Sequence, residues 1–459
     1  MNIKSNHMNI HFIAIGGAAM HNLALALHNK GYHVTGSDDE IFEPSKSRLQ
    51  AAGLLPEAWG WFPEKITPSL DAVILGMHAR KDNPELLKAQ ELGIKIYSYP
   101  EYLYEQTKDK KRVIVGGSHG KTTTTSMIMH VLHNCNIPFD YMAGALLEGF
   151  DTMVHLSDDS KIAVFEGSPI DMRPKFHHYH PDIAILTGIA WDHMNVFPTF
   201  ENYVEQFAIY LEKITHGGTL IYFEDDENIC NILAKADASV KQIPYNTFPH
   251  TIKEGITNLT LHGETPLRVF GNHNLQNISA AYYACRELGI SDEAFLKAIS
   301  TYNGAAKRLQ KIAENKQTTI FLDFAHSPSK LQATIKAVKE QYPSRHLIAC
   351  MELHTFSSLN AAFLPQYHNT MDAADEAIVF FNPEVVQHKR LPEITVEDVM
   401  NGFANKELKV YTDNNLLLEE LNRKDYNNSV LLIMTSGNFS GIDIRALAEH
   451  LINTTTQDS

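Results

Sequence analysis

At 459 residues the chain exceeds what one hydrophobic core organises and predicts about three domains of ~150 residues each. Its 44% hydrophobic and 20% charged content is that of a globular protein, and no run approaches the roughly 18 consecutive apolar residues of a membrane span. A net charge of −15 excludes nucleic acid or an anionic membrane surface as the main partner, so any phosphate site has to be a local basic feature in an acidic molecule. The polar stretch from Met1 to Met8 lacks the apolar core of a secretion signal. Cys135, Cys230, Cys285 and Cys350 are far apart, each in or beside an apolar run. Together these features predict a cytoplasmic protein with buried free thiols.

The first domain is predicted over about residues 1–107. Ile10 to Ile15 is a short buried strand, followed by the turn Gly16-Gly17-Ala18-Ala19-Met20 and a helix carrying Leu23, Leu25, Ala26 and Leu27. A second strand from Gly31 ends at Asp38, about 22 positions beyond Gly16. This is a Rossmann-like unit, in which glycines let the backbone approach a diphosphate and the acid reaches a ribose hydroxyl. Ala14 stands where the first fingerprint glycine belongs and the third glycine is missing, which departs from the dinucleotide pattern; close helix–strand packing would equally use such small residues. Asp71 to Gly76 is another strand, and Pro84 opens a helix after Asn83. His78 and Arg80, between them, sit where a strand end faces a ligand, or in a solvated loop. Tyr97 to Lys111 reads as an exit helix and linker.

The middle domain is predicted over about residues 108–305 and opens on its strongest motif. A strand, Arg112 to Val115, runs into Gly116-Gly117-Ser118-His119-Gly120-Lys121-Thr122-Thr123 and then a helix with Ile128, Val131, Leu132 and Cys135 on one side. Glycine amides and a helix N-terminus can point at phosphate oxygens, Lys121 adds a point charge, and Thr122 offers a hydroxyl to magnesium, so a nucleoside triphosphate is the expected ligand. The spacing is compressed: the strict phosphate loop places a glycine where this chain has Val115. Two further strands, Lys161 to Glu166 and Pro181 to Gly188, lead to Glu166 and to Asp192-His193. Alternation of strands and helices puts all three strand ends on one edge of a parallel sheet. Phe176 to His180 is histidine-rich, but its spacing provides no tetrahedral metal set. Asn272, His273 and Asn277 begin a helix, and capping alone accounts for one of the three.

The third domain, about residues 306–459, has strand candidates at 318–322, 346–350, 376–381 and 430–434, with helices such as 328–342 and 442–452 between them. Asp323 and His326 follow the first strand, Glu352 and His354 the second, and Gly437 to Gly441 the last. The predicted fold class is α/β in three domains: a Rossmann-like N-terminal domain, a central phosphate-loop ATPase-type parallel sheet, and a C-terminal doubly wound α/β domain.

These stretches together resemble the Mur ligases. The compressed Gly117-Ser-His-Gly-Lys-Thr-Thr123 loop is similar to that family's ATP loop, and the turn after Ala14 to the one holding the UDP diphosphate. The resemblance implies ATP at Gly117 to Thr123, with Lys121, Glu166 and His193 catalytic and with Thr122, Glu166 and His193 on magnesium. It also implies adenine contacts from Asn272, His273 and Asn277, a phosphate contact from Arg308, and ribose contacts from Asp323 and His326. The UDP-sugar would meet Gly16, Gly17, Ala18, Met20, Asp38, His78 and Arg80. The family usually has a longer acidic run after the glutamate than Glu166-Gly-Ser-Pro-Ile-Asp171. The absence of lysine near Gln206 or Phe207 groups the chain with the branch acting on UDP-N-acetylmuramate. The implied activity is an ATP-dependent carboxylate–amine ligase, with closure of the C-terminal domain before reaction. Met434 to Gly441 resembles the branch that adds a recycled murein tripeptide more than the branch that adds L-alanine. A phosphate-loop ATPase coupled to a binding partner and an NAD-binding module are the other readings.

Overall fold

The computed structural model describes residues 8–77, 79–147, 149–167, 178–190, 197, 199–253, 255–304 and 309–455. The chain forms two compact units: Met1–Asn246 with Gln276–Ile299, and Thr247–Leu275 with Ser300–Ser459.

The first unit holds two sheets. Strands β1 (Asn9–Ile13), β2 (His33–Ser37), β3 (Ala72–Leu75) and β4 (Ile96–Ser98) make a parallel sheet in the order 2-1-3-4. Helices α1 (Ala18–Asn29), α2 (Ser45–Ala51), α3 (Pro84–Glu91) and α4 (Tyr99–Thr107) connect and cover it. The larger sheet contains β5 (Lys111–Gly116), β6 (Asp140–Met142), β7 (Val154–His155), β8 (Ile162–Glu166), β9 (Ile183–Leu186), β10 (Thr219–Phe223) and β11 (Lys241–Tyr245). Its order is 11-10-9-5-8-6-7, parallel throughout except for the β6–β7 pair. The runs Val113–Val115 and Ile183–Leu186 are apolar at every position because a parallel sheet is covered on both faces. The covering helices are α5 (Lys121–Asn134), α6 (Phe200–Glu212), α7 (Glu227–Ile232), α8 (Asn272–Glu287) from Gln276 onward, and α9 (Asp292–Ile299).

The exit helix expected within Tyr97 to Lys111 is α4, preceded by β4, and the segment after it is tied down by Arg112. The buried Arg112 guanidinium donates to the carbonyls of Thr107, Lys108, Lys110, Tyr179 and His180 and meets the Asp182 carboxylate at 3.2 Å. A buried charge is tolerated when its donors are satisfied in this way.

The second unit carries a small antiparallel sheet, β12 (His250–Lys253), β13 (Ile256–Leu259) and β14 (Thr265–Pro266). Its main sheet is β15 (Gln310–Glu314), β16 (Thr318–Asp323), β17 (His346–Glu352), β18 (Glu376–Phe380), β19 (Lys409–Tyr411) and β20 (Ser429–Met434), in the order 15-16-20-17-18-19. Only β15 runs antiparallel to its neighbour. Helices α10 (Pro328–Gln341), α11 (Pro383–His388), α12 (Val396–Phe403), α13 (Asn414–Arg423) and α14 (Ile444–Thr455) complete it. Thr247–Leu275 packs here because Thr257 donates to Gln341 at 2.9 Å, Gln341 donates to the Gly255 carbonyl, and Phe270 packs edge-on against Phe321.

The expectation of four buried thiols is half corrected: Cys285 and Cys350 are buried, Cys135 is half-buried, and Cys230 is exposed. Burial pushes the Cys350 thiol up to about 12. Among the described residues no helix is long and apolar enough to cross a membrane.

The departure at Ala14 has a local consequence. Ala14 adopts φ 67°, the left-handed region that penalises a Cβ, and its amide donates to Ser37. Ala14→Gly is therefore expected to raise stability by about 1 kcal/mol, since relief of the steric cost outweighs the added freedom of the unfolded chain. Urea unfolding of the two proteins checks this; a less stable variant would show that the Ala14 methyl contributes more by packing than it costs by strain.

Candidate active site

The edge that carries the glycine turn is built by three adjacent strands. Because β5 lies between β9 and β8, the turn after Gly116, the carboxylate of Glu166 and the segment after Leu186 emerge side by side. Gly117 (φ 134°) and Gly120 (φ 79°) take conformations that side chains disfavour, and a Cβ on Gly117 would lie 2.1 Å from Thr187 Oγ1. Lys121 Nζ donates to the carbonyls of Gly117 (2.7 Å) and Ser118 (3.2 Å), which sets its charge inside the turn. Gly120 has no side chain to cap α5, leaving the first-turn amides available to an anion. Ser118 is buried, His119 is exposed, and Thr123 is buried in α5.

Thr122 Oγ1 donates to Glu166 Oε1 at 2.9 Å, and the Gly144 amide donates to Glu166 Oε2 at 2.8 Å. The buried carboxylate and the hydroxyl thus converge beside Lys121, a pair of hard oxygens suited to a divalent cation. Asn277 comes to the same place: its Oδ1 accepts from Thr124 at 3.2 Å and would lie 2.5 Å from a Cβ on Gly120. Asn272 is exposed at the start of α8, and the His273 ring lies against Gly271.

A second feature of this unit is a cleft of about 880 Å³ over the first sheet. Gly16, Gly17, Ala18, Asp38 and Arg80 line it. Asp38 Oδ2 accepts from the Gly16 amide at 2.7 Å, and burial raises its pKa. Arg80 is exposed and held by Asp82 through two 2.9 Å bonds. Met20 is a correction: it is 5% exposed and packs in the core with Leu23, Ala24 and Leu27, one helical face of α1, so its side chain does not line the cleft. His21, Arg48 and Trp61 line the cleft and were not singled out in the sequence, where each is a lone residue outside any motif. His21 Nδ1 is 2.9 Å from the Gly17 carbonyl and 3.0 Å from Ser45 Oγ, joining the glycine turn to α2.

In the second unit, Asp323 is buried at the end of β16, where it accepts from the amides of Leu309 (2.5 Å) and Ala325 (2.6 Å). His326 is half-buried and bonds the Phe324 carbonyl at 2.9 Å. The glycine-rich turn after β20 folds over buried Glu352, which accepts from Thr435 Oγ1 and from the Phe439 amide (3.0 Å). Three predicted site residues, His78, His193 and Arg308, lie outside the described residues.

Fold and glycine turn define an α/β protein with a strand–turn–helix of the phosphate-loop type. Comparison with known proteins narrows the class: residues 9–111 match the Mur ligase family catalytic domain, 115–285 the Mur ligase middle domain, and 307–437 the Mur ligase glutamate ligase domain. The chain is 30% identical over 385 residues to a UDP-N-acetylmuramate–L-alanine ligase of Limosilactobacillus reuteri, covering 80% of this chain and 84% of the relative. Among solved structures it is similar to a UDP-N-acetylmuramate-alanine ligase from Thermotoga maritima (TM-score 0.67, 19% identity, 99% and 100% coverage). It is also similar to a murein peptide ligase from Psychrobacter arcticus (TM-score 0.58, 22% identity, 98% of both chains); at such identities these two establish the fold. The chain belongs to the Mur ligase family, and it is an ATP-dependent carboxylate–amine ligase.

Two outcomes follow. A Cβ at Gly144 would sit 2.8–3.0 Å from the Glu166 carboxylate, so Gly144→Ala is expected to displace Glu166 from Thr122 and raise the magnesium requirement about tenfold. A magnesium titration of turnover measures it. Burial lowers the pKa of His21, so the unfolded chain takes up its proton more readily; the stability His21 contributes is present above about pH 6.5 and fades as pH falls toward its folded value. The stability advantage of wild type over His21→Asn should therefore shrink from about pH 7.5 to about pH 5.5 in chemical denaturation.

Proposed function

We propose that the protein activates the carboxylate of UDP-N-acetylmuramate with ATP and joins it to the amino group of L-alanyl-γ-D-glutamyl-meso-diaminopimelate. The observation that carries the reading is the convergence of Lys121, Thr122 and Glu166 at the ends of β5 and β8 beside the uncapped start of α5. The substrate carboxylate attacks the terminal phosphorus of ATP and ADP leaves. The acceptor amine then attacks the acyl phosphate carbon, expels phosphate and loses a proton, leaving an amide. Lys121 and the first amides of α5 would neutralise and orient the transferred phosphoryl group. Thr122 and Glu166 would hold magnesium, whose charge offsets that of the phosphate oxygens.

The cleft beside Gly16–Ala18 would take the UDP-sugar, with Asp38 holding the glycine turn in shape. Its volume falls within the roughly 300–1,000 Å³ of small-molecule sites. The tripeptide acceptor is supported by the resemblance of Met434–Gly441 to the tripeptide-adding branch. A second reading, L-alanine as acceptor, is favoured by the activity named for the Limosilactobacillus reuteri relative.

Phosphate release with ATP, magnesium and UDP-N-acetylmuramate, offered each amine separately and with product masses measured, tests the proposal. Tripeptide-dependent release is expected. L-alanine-dependent release would transfer the assignment to the second reading, and release with neither amine would point to a partner-coupled ATPase. Lys121→Ala is expected to lower turnover by about 100-fold or more while UDP-sugar binding, read by calorimetry, persists. Undiminished turnover would remove the ATP loop from Gly117–Thr123.

A further inference from the structure

The phosphate turn does not hold its shape alone. The segment Thr187–Ala190, leaving β9, is its template on one side. The Thr187 amide donates to the Gly116 carbonyl at 3.1 Å, and its hydroxyl reaches the carbonyls of Gly116 and His119. Ser118 is stapled twice: its amide donates to the Gly188 carbonyl at 2.8 Å, and its Oγ accepts the Ala190 amide at 2.9 Å. The Ser118 hydroxyl also pairs with Tyr203 OH of α6 at 2.9 Å.

That template needs an anchor of its own, because Gly188 is at φ 148° and its neighbours are outside any ladder. The anchor is at the end of β10. Asp226 Oδ2 accepts the Ile189 amide at 2.6 Å, while Oδ1 accepts the amides of Asn228 (2.9 Å) and Ile229 (3.2 Å) at the start of α7. Asn228 Nδ2 closes the clamp on the Ile189 carbonyl at 3.3 Å. A carboxylate accepting three backbone N–H groups is a stiff, charge-assisted joint.

We infer that Asp226 is a positioning residue for phosphoryl transfer: by gripping Ile189 it holds Thr187–Ala190 against Ser118 and so sets the curvature of the phosphate turn. This rests on the reading of Gly117–Lys121 as the ATP loop. Asp226 touches no substrate; it acts through two intervening segments.

The test uses Asp226→Ala and the milder Asp226→Asn in the full chain, with three readouts. Without ligand, amide hydrogen exchange of peptides covering 187–190 is expected to speed about tenfold or more in Asp226→Ala, as loss of a charge-assisted hydrogen bond predicts. The KM for ATP is expected to rise about tenfold with the KM for UDP-N-acetylmuramate within about twofold, and Asp226→Asn, which keeps one acceptor, should fall between. A purely structural residue would lower the melting temperature while leaving both KM values of the folded enzyme unchanged, and that result overturns the inference. If Asp226→Ala does not fold, Asp226→Asn with unchanged exchange and unchanged KM for ATP overturns it equally. Lys121→Ala, run alongside, separates the two claims: if it leaves ATP binding and turnover intact, the loop reading itself has failed.

Discussion

Thr122 reaches Glu166 only because β5 and β8 lie side by side and run the same way. Parallel pairing brings the ends of β5 and β8 to one edge, where Thr122 and Glu166, 44 residues apart in the chain, meet, and the glycine at 144 leaves room for the carboxylate to turn toward the hydroxyl. The same order puts β9 on the other flank, so the turn after Gly116 is hemmed by Glu166 on one side and Thr187–Ala190 on the other. A ligand-binding turn at the carboxyl ends of parallel strands inherits its precision from that sheet, whose central residues are fully buried.

The molecule uses its basic groups unequally. Arg112 and Lys110 are scaffold: Arg112 gathers five carbonyls and a carboxylate, and Lys110 meets Asp140 (2.5 Å), the Ser157 carbonyl (2.5 Å) and Ser160 (2.7 Å). Their charges are satisfied internally, which is what burial demands. In the first sheet the buried pair His11–Glu85 does similar work, with Glu85 also accepting the Phe62 amide beside Trp61 of the cleft. Lys121 donates to the carbonyls of Gly117 and Ser118, which holds its ammonium within the glycine turn.

Legibility in the sequence followed locality. Strands β1, β5, β8, β9, β16, β17, β18 and β20 are mostly apolar and were readable as strands. The strands β4, β6, β7 and β19 are two or three residues long and exist because a longer neighbour supplies their hydrogen bonds. β11 carries Pro244 and is largely exposed at the sheet's edge, which conceals it from any apolar pattern. The glycine turn was readable from the strand before it, the Gly-Lys-Thr triplet and the helix after it, whereas His21, Arg48 and Trp61 acquire meaning only where the cleft gathers them. Met20 shows the converse error, since proximity to a glycine turn says nothing about which way a helical side chain points.

What the sequence determined by itself is therefore the order of elements and the chemistry of each strand end: a glycine turn with Lys121, a terminal Glu166, an Asp38 after Gly16. These depend on residues a few positions apart, where propensity and spacing act directly. Only the tertiary structure decided that Glu166 rather than another carboxylate faces Thr122, that Asn277 reaches Gly120, and that Asp226 grips Ile189 across 37 residues. Such pairings are set by which strands lie adjacent in the sheet, and adjacency is a property of the packed core that no local pattern encodes.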